Sequence, residues 1–154
     1  MPIELPVPWI IALNALGLPA LQLGCAWIFT RLPAAWFHPP LLKTDRTRVY
    51  ERFFRIKRWK DRLPDGANWF KGGFSKATLR QRDPQHLARF LRESWRGELC
   101  HWTFIALIPV FFLWNPCWAD LVIAAYALAA NLPCILVLRY NRQRLSRILR
   151  CSED

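Results

Sequence analysis

A glutamate and a histidine lie three residues apart in the segment Glu98-Leu-Cys-His-Trp102. On a helix, residues at this spacing share a face, so the carboxylate can orient the imidazole and raise its basicity. The imidazole can then remove a proton from a hydroxyl nucleophile. The same pair can also be purely structural, as a satisfied polar anchor at the headgroup level of a membrane. The spacing therefore indicates a general-base pair or a polar anchor.

Arginines and asparagines follow in the last third of the chain. Arg139, Asn141 and Arg142 lie in Arg139-Tyr-Asn-Arg-Gln-Arg144, directly after an apolar stretch. Guanidinium groups suit the phosphates of a nucleotide-like donor or a developing oxyanion, but they are also ordinary anchors at a membrane surface. Asn131, close before Pro133, either meets a substrate headgroup or packs between helices. These residues are candidate substrate-binding groups.

A basic and aromatic stretch in the middle of the chain is the third candidate. Its members are Arg55, Lys57, Arg58, Lys60, Asp61, Asp65 and Lys71. Such a stretch fits a membrane-facing loop that binds an anionic co-substrate, although the spacing of a phosphate-binding P-loop is missing. Asp61 and Asp65 are either a carboxylate pair or the partners of neighbouring cations. No Cys-x-x-Cys pair or metal-ligand spacing of histidines occurs, so we predict neither a metal site nor a tightly bound cofactor.

Three apolar stretches must position these residues. They span 8–30, 102–118 and 119–138, or 23, 17 and 20 residues, in a chain that is 53% hydrophobic. About 20 residues cross a hydrocarbon core, so we predict a single membrane domain over 1–154 with three crossings. The second crossing is short and either tilts little or is re-entrant. A cleaved signal peptide is the alternative for the first stretch, but the basic region that would precede it is missing.

The charge distribution predicts the orientation in the membrane. Residues 31–98 hold 17 Lys and Arg against seven Asp and Glu, whereas the N-terminus and the turn near Asn115 hold no Lys or Arg. By the positive-inside rule, segment 31–101 and tail 139–154 are cytoplasmic and the N-terminus lies outside the cell membrane. Anionic lipid headgroups explain the basic excess, and the chain has no recognisable nucleic-acid-binding module.

Two helices are predicted in the basic segment. The first covers 43–56, with Val49, Phe53 and Ile56 along one side, as in a helix lying on a membrane surface. A loop over 59–76 follows it. The second helix begins with Asp83 as N-cap and Pro84 in the first position. The fold class is therefore an all-α integral membrane protein with three transmembrane helices and cytoplasmic amphipathic interfacial helices.

The second helix also sets the phase of the candidate pair. Its apolar stripe starts with Leu87 and Phe90. At 100° per residue, Glu98 and His101 fall close to the same stripe, provided that the helix continues through Gly97.

Several of these segments together resemble one family, the glycosyl-4,4'-diaponeurosporenoate acyltransferases of carotenoid biosynthesis. The resemblance starts near Ala34, and the first apolar stretch matches only in character. It rests on Arg55-Ile-Lys-Arg-Trp-Lys-Asp-Arg-Leu-Pro-Asp-Gly66, Lys71-Gly-Gly-Phe-Ser-Lys76, Glu98-Leu-Cys-His-Trp102, Tyr126 with Asn131-Leu-Pro133, and Arg139-Tyr-Asn-Arg142. Leu138 and Gln143 depart from the family's pattern beside the arginines.

The resemblance implies transfer of a fatty acyl group from an acyl-CoA-like thioester to a sugar hydroxyl of a glycosylated carotenoid, or of a related glycolipid. His101 would deprotonate the hydroxyl, Glu98 would orient the imidazole, and Arg139 or Arg142 would neutralise the oxyanion. Basic residues among 55–60 would hold the donor's phosphates. The alternative is a small non-catalytic subunit that binds carotenoid or lipid and associates with other membrane proteins.

Overall fold

The part of the chain that the structure describes consists of four α-helices and short 3-10 turns. The computed structural model of the chain describes residues 2–40, 46–63 and 84–150. The helices are α1 (Val7–Arg31), α2 (Thr47–Phe53), α3 (Pro84–Leu107) and α4 (Cys117–Arg150). The 3-10 turns are Ala34–Trp36, Ile56–Arg58, Lys60–Arg62 and Ile108–Leu113. Within these described ranges there is no strand, so the all-α prediction is confirmed.

Three helical segments are long and apolar enough to cross a membrane: Val7–Arg31, Gln85–Leu113 and Cys117–Arg147. The prediction of three transmembrane helices is thereby confirmed in number. The second segment gains its length because α3 starts well before the apolar stretch and carries the basic residues of its N-terminal half with it. Pro109 then ends the α-helical part, since its ring clashes with the carbonyl four residues earlier, and the chain continues as the 3-10 turn.

Helix α1 is apolar on all sides and buries little of its surface against the rest of the chain. Of its side chains only Cys25 is buried, while Trp9, Leu16 and Trp27 are exposed. A helix that is hydrophobic all round has lipid as its natural surrounding. Gly17 is the point of close approach: a Cβ there would lie 3.1 Å from the ring of Phe111.

Helices α3 and α4 form an antiparallel hairpin whose turn is Trp114–Pro116. Its core is made of aromatic and aliphatic side chains from both helices, among them Phe104 and Ile108 opposite Ile123 and Ala127. At the other end, Leu87 and Phe90 pack against Leu145. The two core clusters leave a polar stretch between them, and the candidate residues lie in that stretch.

The predicted helix over 43–56 ends earlier than expected. Helix α2 ends at Phe53, because Arg55 takes a left-handed backbone conformation with φ 45°. Val49 and Phe53 are exposed, whereas Ile56 lies beyond that break and is fully buried. Helix α2 is held against α4, since the Tyr140 hydroxyl donates to Glu51 at 2.8 Å.

The predicted start of α3 is met at Pro84, while its proposed N-cap Asp83 lies outside the described residues. The helix passes through Gly97 without interruption and keeps the predicted phase. Leu87, Phe90 and Glu98 are all buried against α4.

Candidate active site

Glu98 is the centre of a charged cluster between α3 and α4. Its Oε1 accepts a hydrogen bond from Arg139 Nε at 2.5 Å, and its Oε2 lies 2.8 Å from Arg142 Nη2. Side chains on a helix lean towards its N-terminus. In this antiparallel hairpin Glu98 therefore leans one way along the axis and the two arginines lean the other, so that they meet. Arg139 and Arg142 are three residues apart and share the face of α4 that is directed towards Glu98.

Two tryptophans of α3 enclose the cluster. The guanidinium of Arg142 lies 4.8 Å from the ring centre of Trp95, and that of Arg139 lies 5.8 Å from the ring centre of Trp102. Trp102 Nε1 also donates to Glu98 Oε1 at 3.4 Å. The side chains of Glu98 and Arg142 are 0% and 3% exposed, whereas that of Arg139 is 41% exposed. Arg139 is thus the more accessible of the two arginines.

His101 has its hydrogen-bonding partner on α4. Its Nδ1 lies 2.7 Å from Oδ1 of Asn131, a buried side chain. The Asn131 amide donates through Nδ2 to the Ala127 carbonyl at 2.8 Å, which leaves Oδ1 to face the imidazole as an acceptor. Nδ1 of a neutral His101 must therefore carry the proton, and its basic lone pair lies on Nε2. The arrangement fixes the tautomer that a general base needs.

These contacts change the roles predicted for the pair. We expected Glu98 to orient His101, but the carboxylate is engaged by Arg139 and Arg142, and Asn131 is the residue that orients the ring. Glu98 therefore positions the two arginines.

The remaining predicted residues lie in the segment around α2 or beside the arginines. Lys57 pairs with Glu51 at 2.8 Å and Lys60 pairs with Asp61, so Asp61 is the partner of a neighbouring cation. The hydrogen bonds from Lys57 and Tyr140 hold the pKa of Glu51 below its usual value. Arg55 and Arg58 are exposed, and Asn141 is half-buried. Asp65 and Lys71 lie outside the described residues.

Ser94 and Trp95 are site residues that the sequence analysis did not single out. Ser94 is fully buried one helical turn before Glu98, on the same face of α3. The signal for Ser94 is present in the sequence, because it continues the helical spacing of Leu87, Phe90 and Glu98 as a polar residue within an apolar stripe. Trp95 follows Ser94 directly, and its stacking on Arg142 depends on how the two helices are paired.

Comparisons with known proteins identify the family of this chain. The sequence profile of the glycosyl-4,4'-diaponeurosporenoate acyltransferases matches residues 33–151, a range that includes α2, α3 and the site while α1 lies before it. Curated relatives of that name from Staphylococcus aureus strains bovine RF122 / ET3-1 and USA300 are each 29% identical over 136 residues, covering 84% of this chain and 81% of theirs. No solved structure matches significantly. This chain belongs to the glycosyl-4,4'-diaponeurosporenoate acyltransferase family and is an acyltransferase.

Proposed function

We propose that this protein moves a fatty acyl group from a thioester donor to the primary sugar hydroxyl of a glycosylated carotenoid acid. The acceptor in the names of the relatives is a glycosyl-4,4'-diaponeurosporenoate. Both substrates are amphiphiles, so their reacting groups gather where lipid meets water. The charged cluster at the end of the apolar part of the α3–α4 hairpin suits that location.

His101 is the general base of the proposed reaction. The observation that carries this role is the 2.7 Å contact between His101 Nδ1 and Oδ1 of Asn131. The side-chain NH2 group of Asn131 donates to the Ala127 carbonyl, which fixes the orientation of the amide. With the proton fixed on Nδ1, Nε2 takes the hydroxyl proton as the sugar oxygen attacks the thioester carbonyl. The C–S bond then breaks, and the leaving thiolate takes the proton back from the imidazolium. Asn131 is a positioning residue in this scheme.

Arg139 stabilises the oxyanion of the tetrahedral intermediate. Its Nε is held by Glu98 and its side chain is 41% exposed, so the guanidinium has a fixed orientation together with access to a ligand. A fixed cation at the position where negative charge develops lowers the barrier, because it needs no reorganisation during the reaction. Exposed Arg55 and Arg58 would contribute to holding the donor's outer phosphates. Asn141 lies next to Arg142 on α4.

We also propose that the N-terminus is outside the cell and the C-terminus is cytoplasmic. The supporting observation is that the α3–α4 turn is free of Lys and Arg, whereas Arg residues crowd the end of α4. A membrane-impermeant maleimide should label exposed Cys117 in intact cells. An Arg58→Cys variant lacking the native cysteines should be labelled only after the membrane is opened. The reverse pattern would overturn this orientation.

The reaction is tested by direct assay. Membranes holding the protein are given a long-chain acyl thioester and the glycosyl-carotenoid, with a glycolipid as a second acceptor, and the ester product is measured by mass spectrometry. General-base catalysis contributes about 10² to 10⁴ in rate, so His101→Ala should lose that factor. His38→Ala is the matched control, because His38 is exposed and remote in sequence.

Two outcomes would contradict the proposal. Full transfer by the His101→Ala protein would remove the histidine from the mechanism. Co-purified pigment or partner protein without any turnover would favour the non-catalytic subunit.

A further inference from the structure

Arg142 is a buried cation whose hydrogen-bonding capacity exceeds what the protein gives it. Nη2 lies on Glu98, while Nε and Nη1 are buried without a hydrogen-bond partner among the described residues. The fully buried hydroxyl of Ser94 is in the same condition. Buried polar groups of this kind are rare in native proteins and call for a partner other than the described side chains.

The charge balance of the cluster also indicates a missing partner. Of the acidic residues that the structure describes, Glu51, Asp61 and Glu93 pair with lysines or an arginine of their own segments. Glu98 alone among them is paired with Arg139 and Arg142. One carboxylate therefore stands against two guanidinium groups. This excess positive charge favours an anion beside the cluster.

We propose that Arg142 and Ser94 form a binding site for a phosphate group. The oxyanion of the reaction does not meet this need, because it exists only transiently, whereas the excess positive charge is present at all times. A phosphate offers several acceptor oxygens, and its hydrogen bonds to a guanidinium are charge-assisted on both sides. Nε and Nη1 of Arg142 point in different directions, and each can donate one such hydrogen bond to a phosphate oxygen. The stacking of Arg142 on Trp95 fixes the plane of the guanidinium.

Two amphiphiles of this membrane reaction carry a phosphate. One is the thioester donor, through the phosphate of a phosphopantetheine group, and the other is a phospholipid headgroup. The donor assignment rests on the function proposed above, whereas the phosphate site itself does not. Binding is therefore measured without turnover.

The experiment compares a ligand with and without its phosphate. An S-alkyl phosphopantetheine, whose thioether cannot transfer an acyl group, and the matching S-alkyl pantetheine are bound to the full chain in nanodiscs of phosphatidylcholine. The phosphate should strengthen binding to the unaltered protein about tenfold or more. In Arg142→Gln the two ligands should bind within about twofold of each other. Arg144→Gln, which removes an exposed arginine of the same helix, should keep the full difference.

Ser94→Ala provides a second test for the case that Arg142→Gln fails to fold. Removal of an unpartnered buried hydroxyl does not destabilise the fold, so this variant should have an unchanged or higher Tm. It should nevertheless lose several-fold of the phosphate's effect. An unchanged effect would take Ser94 out of the site.

A second arm identifies the source of the phosphate. The binding of dilute phosphatidylglycerol from mixed nanodiscs is measured by native mass spectrometry for the same variants. If Arg142→Gln loses phosphatidylglycerol but not the phosphopantetheine effect, the site belongs to a lipid. If neither ligand depends on Arg142, the inference is overturned. A phosphate effect that depends on Arg142, in a protein that forms no ester, would leave the site standing and overturn the proposed reaction.

Discussion

Two polar clusters hold the transmembrane helices together, and they differ in kind. Near the α3–α4 turn, Asn14 and Asn115 exchange amide hydrogen bonds of 2.7 and 3.0 Å. Trp114 donates to Asn14, and Asn115 donates to the Phe111 carbonyl. At the other end, Glu98 pairs with Arg139 and Arg142. The first cluster is neutral and the second is charged.

The difference lies in how many donors and acceptors find partners. Each amide nitrogen and oxygen of Asn14 and Asn115 takes part in a hydrogen bond within the cluster or with Phe111. In the charged cluster, Arg142 and Ser94 retain atoms with no partner among the described residues. A closed network rigidifies a fold, and an incomplete one costs stability unless a ligand completes it. The neutral cluster therefore fastens α1 to the hairpin, and the charged one is suited to binding.

The largest effect on stability should come from Glu98→Ala in the charged cluster. This change leaves two arginines without their carboxylate, one of them nearly fully buried, and breaking such a group costs about 3–5 kcal/mol of unfolding free energy. Denaturant titration in detergent measures it. The double variant Glu98→Leu with Arg142→Met should regain most of the stability, because an apolar replacement removes both charges, yet it should remain weak in transfer. Recovered activity in the double variant would make the cluster purely structural.

In the neutral cluster, a substitution should lower the stability of the protein but not its activity. Asn14→Leu removes the acceptor of Trp114 and the partner of Asn115, which should cost about 1–3 kcal/mol of unfolding free energy. The activity per folded molecule should stay the same. Leu16→Ala, at an exposed position of the same helix, is the control and should change neither quantity. A loss of specific activity in Asn14→Leu at full folding would abolish the distinction between the clusters.

A smaller effect should come from Asn131→Leu. It removes the acceptor of one hydrogen bond to His101, so kcat should fall on the order of tenfold, which corresponds to about 1.4 kcal/mol of activation free energy. Asn131→Asp keeps an acceptor towards Nδ1 and should retain more activity at neutral pH than the leucine variant. A purely structural amide would give the reverse order, since a buried carboxylate is the more damaging replacement. Steady-state assays of both variants distinguish the two cases.

The smallest effect concerns the contact between α2 and α4. Hydrogen bonds from Lys57 and Tyr140 lower the pKa of Glu51 below its usual value of 4.5. A depressed pKa in the folded state contributes stability that is present above the unfolded value and is lost as the pH falls through the folded one. The protection of α2 amides from hydrogen exchange, relative to their intrinsic exchange rates at each pH, should therefore fall below about pH 4.5. Glu51→Gln should show no such step, and a step that persists in it would assign the effect to another group.

Much of the fold follows from the sequence, because apolar length and helical phase are local properties. They predict three long helices and the burial of Glu98 on the inner side of α3. They do not predict the contact of His101 with Asn131, since that depends on how α3 and α4 are aligned along their axes. The end of α2 was missed for a related reason: the left-handed conformation of Arg55 has no signature in its residue type. Contacts between residues on different helices could therefore not be predicted from the sequence.

Helix α4 is longer than a hydrocarbon core is thick. At 1.5 Å per residue its 34 residues extend about 51 Å, against a hydrocarbon core of about 30 Å. Along α3, His101 lies three residues, or about 4.5 Å, closer to the α3–α4 turn than Glu98, which holds Arg139. In the proposed reaction the sugar hydroxyl of an acceptor must therefore pass the charged cluster by about one helical turn to reach the imidazole.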